Sequence, residues 1–115
     1  MVDFQWGIYW ASLDPVKGSE QSGRRPVLVI SAEEANSVLP VVTIMAVTSV
    51  KAGRRVYPTE VLLPVGETGL GKDSIAMAHQ IRAIAKERLE EKAGEIKSDY
   101  IKNQIKDSIR LYFDL

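Results

Sequence analysis

Lys17-Gly18-Ser19-Glu20-Gln21-Ser22-Gly23-Arg24-Arg25-Pro26-Val27-Leu28-Val29-Ile30 changes character at its midpoint. The first half is polar and carries Gly18 and Gly23, which let backbone approach another group closely. The second half is an unbroken run of branched apolar residues, the pattern of a strand covered on both faces. Arg24 and Arg25 sit at the seam. A residue before proline is excluded from helical backbone and held extended. Arg25 therefore stands at the mouth of a buried strand because of backbone sterics. A guanidinium fixed there, beside a polar loop, suits an anion and phosphate above all, through its paired N–H donors. Taken alone, the segment reads slightly more simply as two solvated arginines ahead of an ordinary strand.

Working outward, Gly7 to Leu13 reads as a first strand ended by Asp14-Pro15, a turn pair. Val27 to Ser31 is the second strand, and Ala32 to Val38 a short helical turn or irregular link. Pro40 introduces a third strand, Val41 to Val47, closed by Thr48-Ser49. A basic loop, Val50 to Pro58, leads to a fourth strand, Glu60 to Leu63, and Pro64 to Asp73 is a second glycine-containing loop. Ser74 to Ala78 and Gln80 to Ile84 read as two short strands with His79 at their junction. Lys86 to Ala93 is charged and helix-forming, with Gly94 suited to its end. Ser98 is placed to cap a final helix whose stripe, Ile101, Ile105, Ile109 and Tyr112, faces the core. Short strands in series, a late helix and long polar loops predict a small, strongly curved antiparallel sheet or partial barrel.

Composition narrows the function. The chain has 115 residues, 45% hydrophobic and 26% charged, which fits one soluble domain spanning the whole sequence. No apolar run is long enough to cross a bilayer. The first residues lack a basic start and an apolar stretch of signal-peptide length, so a cytoplasmic location is expected. With no cysteine, disulfides and thiolate zinc sites are excluded. Net charge is zero, from 15 basic and 15 acidic residues, which argues against coating duplex nucleic acid but permits a short basic groove. Basic residues gather at Lys17, Arg24 and Arg25 and again at Lys51, Arg54 and Arg55.

Most enzyme classes are disfavoured. There is no metal-ligand spacing, no phosphate loop opening a helix, and no nucleophile elbow to accompany His79, the lone histidine. A metal-free and cofactor-free reaction on a substrate that carries its own nucleophile stays open. RNA is such a substrate, because its 2′-hydroxyl can attack the neighbouring phosphodiester. The protein then needs only to position the strand and stabilise charge on the phosphate.

The run Gly18 to Ile30 resembles the signature of the MazF/PemK/Kid family, the toxin halves of bacterial toxin–antitoxin pairs. Ile8-Tyr9-Trp10 with Leu13-Asp14-Pro15, then Val47-Thr48-Ser49, Glu60 to Pro64, Leu70 to Ser74 and His79-Gln80-Ile81-Arg82 follow in the family's order and spacing. The resemblance implies an SH3-like barrel working as a homodimer. It implies an endoribonuclease that cuts single-stranded mRNA at a short sequence, leaving 2′,3′-cyclic phosphate and 5′-hydroxyl ends. A cognate antitoxin with an acidic C-terminal tail would neutralise it. Arg25 and Thr48 match the family's catalytic pair. Ser19, Glu20 and Gln21 match the loop that closes over RNA, and Ser49, His79 and Gln80 match groove positions.

Each role has a structural rival. Thr48 suits a strand end, Arg25 can pair with Glu20, and His79 can be a satisfied structural residue or the acceptor of the 2′-hydroxyl proton. Water or a substrate phosphate is the alternative acceptor. Arg82 is read as structural. Trp6 stands either at a dimer face or on a flexible start, and Ala85 replaces a common helix-capping aspartate. Two other functions compete: a gyrase poison on the same barrel and a non-catalytic SH3-like binding module. The first depends on a Trp-Gly-Ile ending, whereas this chain ends Phe113-Asp114-Leu115.

Overall fold

Val27, Leu28 and Val29 are all fully buried, yet they enter two different cores. Leu28 packs with Ile8, Met45, Val47, Leu63, Ile101 and Ile105. Val27 and Val29 pack with Tyr9, Ala11, Leu13, Ile44, Ala46 and Ile84. Alternate side chains of a strand point to opposite faces, so a continuous apolar run means a sheet with both faces covered, as the sequence predicts.

The computed structural model describes residues 3–115. Its elements are β1 (Gly7–Ser12), β2 (Arg24–Val29), α1 (Glu33–Val38), β3 (Val41–Ser49), β4 (Glu60–Leu63), β5 (Ser74–Ala85), β6 (Leu89–Glu95) and α2 (Asp99–Phe113). The strands form one antiparallel sheet in the order β4-β5-β3-β2-β1-β6. Helix α2 lays Ile101 and Ile105 on one face, and Phe4, Val16, Val50 and Leu89 cover the other. Ser98 Oγ accepts from Ile101 N at 3.3 Å and caps α2 as expected. The apolar stripe stops short of its predicted length. Ile109 is half-buried, but Tyr112 is 46% exposed and meets Phe113 edge-on instead of the sheet.

The outer strands β4 and β6 do not pair, so the sheet is open by hydrogen bonding. The loop 64–73 reaches across to β6, where Glu95 N donates to Thr68 O at 2.9 Å. Gly94 makes this approach possible, since a Cβ there would lie 2.2 Å from Thr68 O. Gly94 thus ends no helix. The helix expected over Lys86 to Ala93 is instead a single 3-10 turn, Lys86–Arg88, followed by β6. Helix propensity is a weak preference that tertiary pairing overrides, and here Ile8, Tyr9 and Ala11 pair with Gly94, Lys92 and Leu89. Charged residues are also normal on an edge strand, where they discourage pairing with other chains.

The two short strands expected on either side of His79 are one strand, β5. Its register against β3 jumps: Met45 pairs with Ile81, whereas Ala46 pairs with Met77. Residues 78–80 are the excess, and they form a bulge that re-aims side chains locally. Trp6 belongs to the folded body. Its N–H donates to Val29 O, its carbonyl accepts from Ile96 N, both at 2.8 Å, and its ring packs on the α2 core. Glu33 ties the preceding residues down by accepting from Phe4 N at 2.7 Å and from Gln5 N. Burial opposes ionisation of Glu33, but these backbone donors and the Asn36 amide outweigh it and hold its pKa below the usual carboxylate range.

Candidate active site

The pairing of β2 with β3 places Val27 opposite Ala46, with both in the same core. Two residues further along each strand, on the same face, stand Arg25 and Thr48. Strand register therefore brings the two sequence-predicted catalytic residues to one end of the sheet. They line an open groove of about 540 Å³ together with Arg24, Ser49, Trp10, Pro26 and the stretch Leu70 to Lys72, among others.

Arg24 and Arg25 both border this groove, but successive residues of a strand face opposite ways and the two take different partners. Arg24 donates from Nε to Glu90 at 2.7 Å and from Nη2 to Glu91, and its guanidinium lies 4.6 Å from the centroid of the Trp10 ring. Arg25 has no carboxylate partner among the described residues; its Nε donates to Ser22 O at 2.7 Å. That bond restrains the guanidinium and leaves both terminal nitrogens without a hydrogen-bond partner among the described residues. The expected pair with Glu20 does not form. Glu20 Oε1 accepts from Lys17 N at 2.6 Å, and Glu20 N donates to Lys17 O at 3.2 Å, so this side chain closes its own turn.

The rest of the loop is equally well anchored. Gly23, at a φ of 76° that L side chains rarely adopt, donates to Asp14 Oδ1 at 3.1 Å and accepts from Leu13 N at 3.0 Å. Gln80 bonds to the backbone of Ser19 and Gln21. Neither Ser19, Glu20 and Gln21 nor His79 and Gln80 line the groove; they stand outside it. His79 is exposed on the β5 bulge. The pKa of Glu60 is held below the usual carboxylate range chiefly by the hydrogen bond from Arg54, which with a bond from the Tyr57 N–H outweighs the opposing effect of burial. Arg82 is structural, donating to Leu13 O at 3.1 Å.

Glu60 is 6% exposed and takes a two-pronged bond from Arg54, at 3.0 Å and 2.7 Å. This pair folds the basic loop 50–58 back on β4, so Arg54 is not available to a ligand. Lys72 is the cation that sequence reasoning missed. Its stretch, Leu70 to Ser74, carries part of the family resemblance, but nothing in the sequence gives Lys72 a role of its own. Ser74, the first residue of β5, pairs with Ser49, and that register carries Leu70 to Lys72 over the groove. Trp10 was read as part of a motif and not as a groove wall. Among the described residues no group of three or more His, Cys, Asp or Glu side chains could hold a metal ion. No helix among them is long and apolar enough to cross a membrane.

A groove with an unpaired guanidinium, a hydroxyl at a strand end and a nearby lysine can bind a phosphodiester and stabilise negative charge on it. Comparison with known proteins points the same way. The family model for the PemK-like, MazF-like toxin of type II toxin–antitoxin systems matches residues 4–113. The chain is 39% identical over 113 residues to the endoribonuclease MazF9 of Mycobacterium tuberculosis, covering 94% of this chain and 93% of that protein. Its fold is similar to the crystal structure of MazF from Deinococcus radiodurans, with TM-score 0.81, 28% identity, and coverage of 100% and 99% of the two chains. It is also similar to a MazE–MazF structure from the same organism, with TM-score 0.75, 28% identity, and coverage of 100% and 98%.

Proposed function

On the premise that the chain belongs to the PemK-like, MazF-like toxin family, we propose that it is an endoribonuclease toxin that cuts single-stranded mRNA within the Arg25–Thr48 groove and so inhibits translation. The observation that carries this reading is the state of Arg25. Its Nε is held by Ser22 O, its terminal nitrogens have no partner among the described residues, and it lines an open groove with Thr48.

The 2′-hydroxyl of the nucleotide before the cut attacks the adjacent phosphorus. The P–O5′ bond breaks, leaving a 2′,3′-cyclic phosphate on one fragment and a 5′-hydroxyl on the other. Negative charge gathers on the non-bridging oxygens as phosphorus becomes five-coordinate. Arg25 places two parallel N–H donors there, and Thr48 adds its hydroxyl. Ser49 and Lys72 hold the flanking backbone. Since Arg25 cannot serve as an ordinary base and His79 stands outside the groove lining, the 2′-hydroxyl proton goes to water or a substrate phosphate oxygen, and water supplies the proton that the leaving O5′ takes up. Charge stabilisation from these side chains and a nucleophile from the substrate make the reaction metal-independent.

Ser19, Glu20 and Gln21 border the groove as the loop that closes over the strand and reads base edges. The protein works in the cytoplasm as a homodimer, its curved sheet acting as an SH3-like barrel. A cognate antitoxin holds it inactive with an acidic tail that folds over the basic groove on binding; MazE–MazF complexes of the Deinococcus radiodurans relative support such a partner.

The test is incubation of a long single-stranded RNA of defined sequence with the protein in excess EDTA, with the ends of the fragments mapped. Discrete fragments bearing cyclic phosphate and 5′-hydroxyl ends are expected, and none from Arg25→Ala. RNA left intact by the folded wild type across varied sequences contradicts the proposal.

A further inference from the structure

The Gln80 amide grips the peptide groups on both sides of Glu20. Its Oε1 accepts from Gln21 N at 3.2 Å, and its Nε2 donates to Ser19 O at 3.1 Å. An N–H requires an acceptor and a carbonyl requires a donor, so the two partners fix which way the amide lies. Taking the C=O of one residue and the N–H of the residue two further on is what a neighbouring parallel strand does. The grip touches no side chain of the loop.

The β5 bulge makes the grip possible. With Met45 opposite Ile81 and Ala46 opposite Met77, residues 78–80 are released from the ladder with β3, and Gln80 is free to reach the loop. Among the described residues, the hydrogen bonds that tie 19–21 to the body of the sheet are these two alone; Glu20 bonds only within its own turn, to Lys17. The next residue along the loop is Ser22, whose carbonyl orients Arg25. A short path therefore runs from Gln80 through the loop backbone to the guanidinium. Gln21 Oε1 is buried without a partner among the described residues, which costs free energy while the loop is closed. Loss of the grip would let that oxygen reach water.

We propose that Gln80 is a positioning residue, a latch that holds the loop 19–21 closed and through Ser22 O sets the aim of Arg25, without touching RNA itself. Because it grips backbone, the latch takes up no hydrogen-bonding group of the Ser19, Glu20 and Gln21 side chains. The latch as a structural device stands on the geometry, and its effect on cleavage rests on the endoribonuclease reading.

The test combines amide hydrogen exchange of the RNA-free protein with cleavage kinetics. In Gln80→Ala, exchange at the Gln21 amide accelerates roughly tenfold to thirtyfold, the worth of two neutral hydrogen bonds, while the β2–β3 ladder exchanges as in wild type. The cleavage rate under saturating RNA falls by a similar factor with the cleavage sequence unchanged. In Gln80→Glu the carboxylate repels Ser19 O, but a protonated carboxyl again offers one donor and one acceptor, so activity relative to wild type rises as pH is lowered toward 5. Unchanged exchange at Gln21 in Gln80→Ala overturns the latch. So does a loss of discrimination confined to one base position, which marks a direct RNA contact. If wild type does not cut RNA, the endoribonuclease reading fails, and the exchange result still decides the latch.

Discussion

Two basic loops flank the central strands, and they use their arginines in opposite ways. In the loop 50–58, Arg54 is bound twice by a buried carboxylate, and its charge is matched within the protein. At the start of β2, Arg25 is held by a neutral carbonyl, and its charge has no carboxylate partner among the described residues. A carbonyl orients a guanidinium but does not neutralise it, so the first loop is built as a fastener and the second as an anion site. Arg24 shows the same contrast at a distance of one residue: it lines the same groove, but Glu90, Glu91 and Trp10 engage its guanidinium. The number of arginines near a groove thus says little; their partners decide which one is chemical.

The largest effect expected from this contrast is on catalysis at Arg25. Removing a preorganised charge-stabilising donor costs roughly 10²–10³ in rate, so Arg25→Ala should lose at least that in single-turnover cleavage while melting near wild type. Next comes the fastener. Glu60→Gln leaves Arg54 without its countercharge and should lower stability by about 2–3 kcal/mol in denaturant titration, below the value for a fully buried pair because Arg54 keeps 28% exposure.

The same pair predicts a pH dependence. The folded-state pKa of Glu60 is depressed, chiefly by Arg54. Its contribution is present above the unfolded carboxylate value of about 4.3 and is lost as pH falls through the folded value. Melting of wild type should therefore decline more steeply on the acid side than that of Glu60→Gln.

Thr48→Val keeps the β-branched shape and removes the hydroxyl. A roughly tenfold to hundredfold fall in cleavage rate with unchanged stability is expected from losing one hydrogen bond to a charged oxygen in the transition state; a loss of stability instead would return Thr48 to a structural role. Smallest of all is Arg24→Ala on melting temperature, because its ion pairs are solvent-screened.

Much of this contrast was legible in the sequence, and the remainder had physical reasons to be hidden. The apolar run after Pro26 announced a strand buried on both faces, and Ser98 announced the cap of α2. Proline sterics placed Arg25 at a strand mouth. Alternation along the strand required Arg24 and Arg25 to part, but not which would find acids, because Glu90 and Glu91 lay in a stretch whose charge favoured a helix. Pairing with β1 made that stretch β6. The β5 bulge was invisible because register is a property of two strands, and with it went the reach of Gln80 to the loop. Lys72 was concealed in the same way, its place over the groove being set by the Ser49–Ser74 pairing.

The most direct test compares Arg24→Ala and Arg25→Ala, side by side, in single-turnover cleavage of one defined RNA in EDTA, with thermal melting as the control for folding. The account predicts that Arg25→Ala loses at least about a hundredfold while Arg24→Ala stays within a few-fold of wild type. Equal losses in the two variants, or a larger loss at Arg24, would contradict the claim that the unmatched guanidinium is the one that does the chemistry.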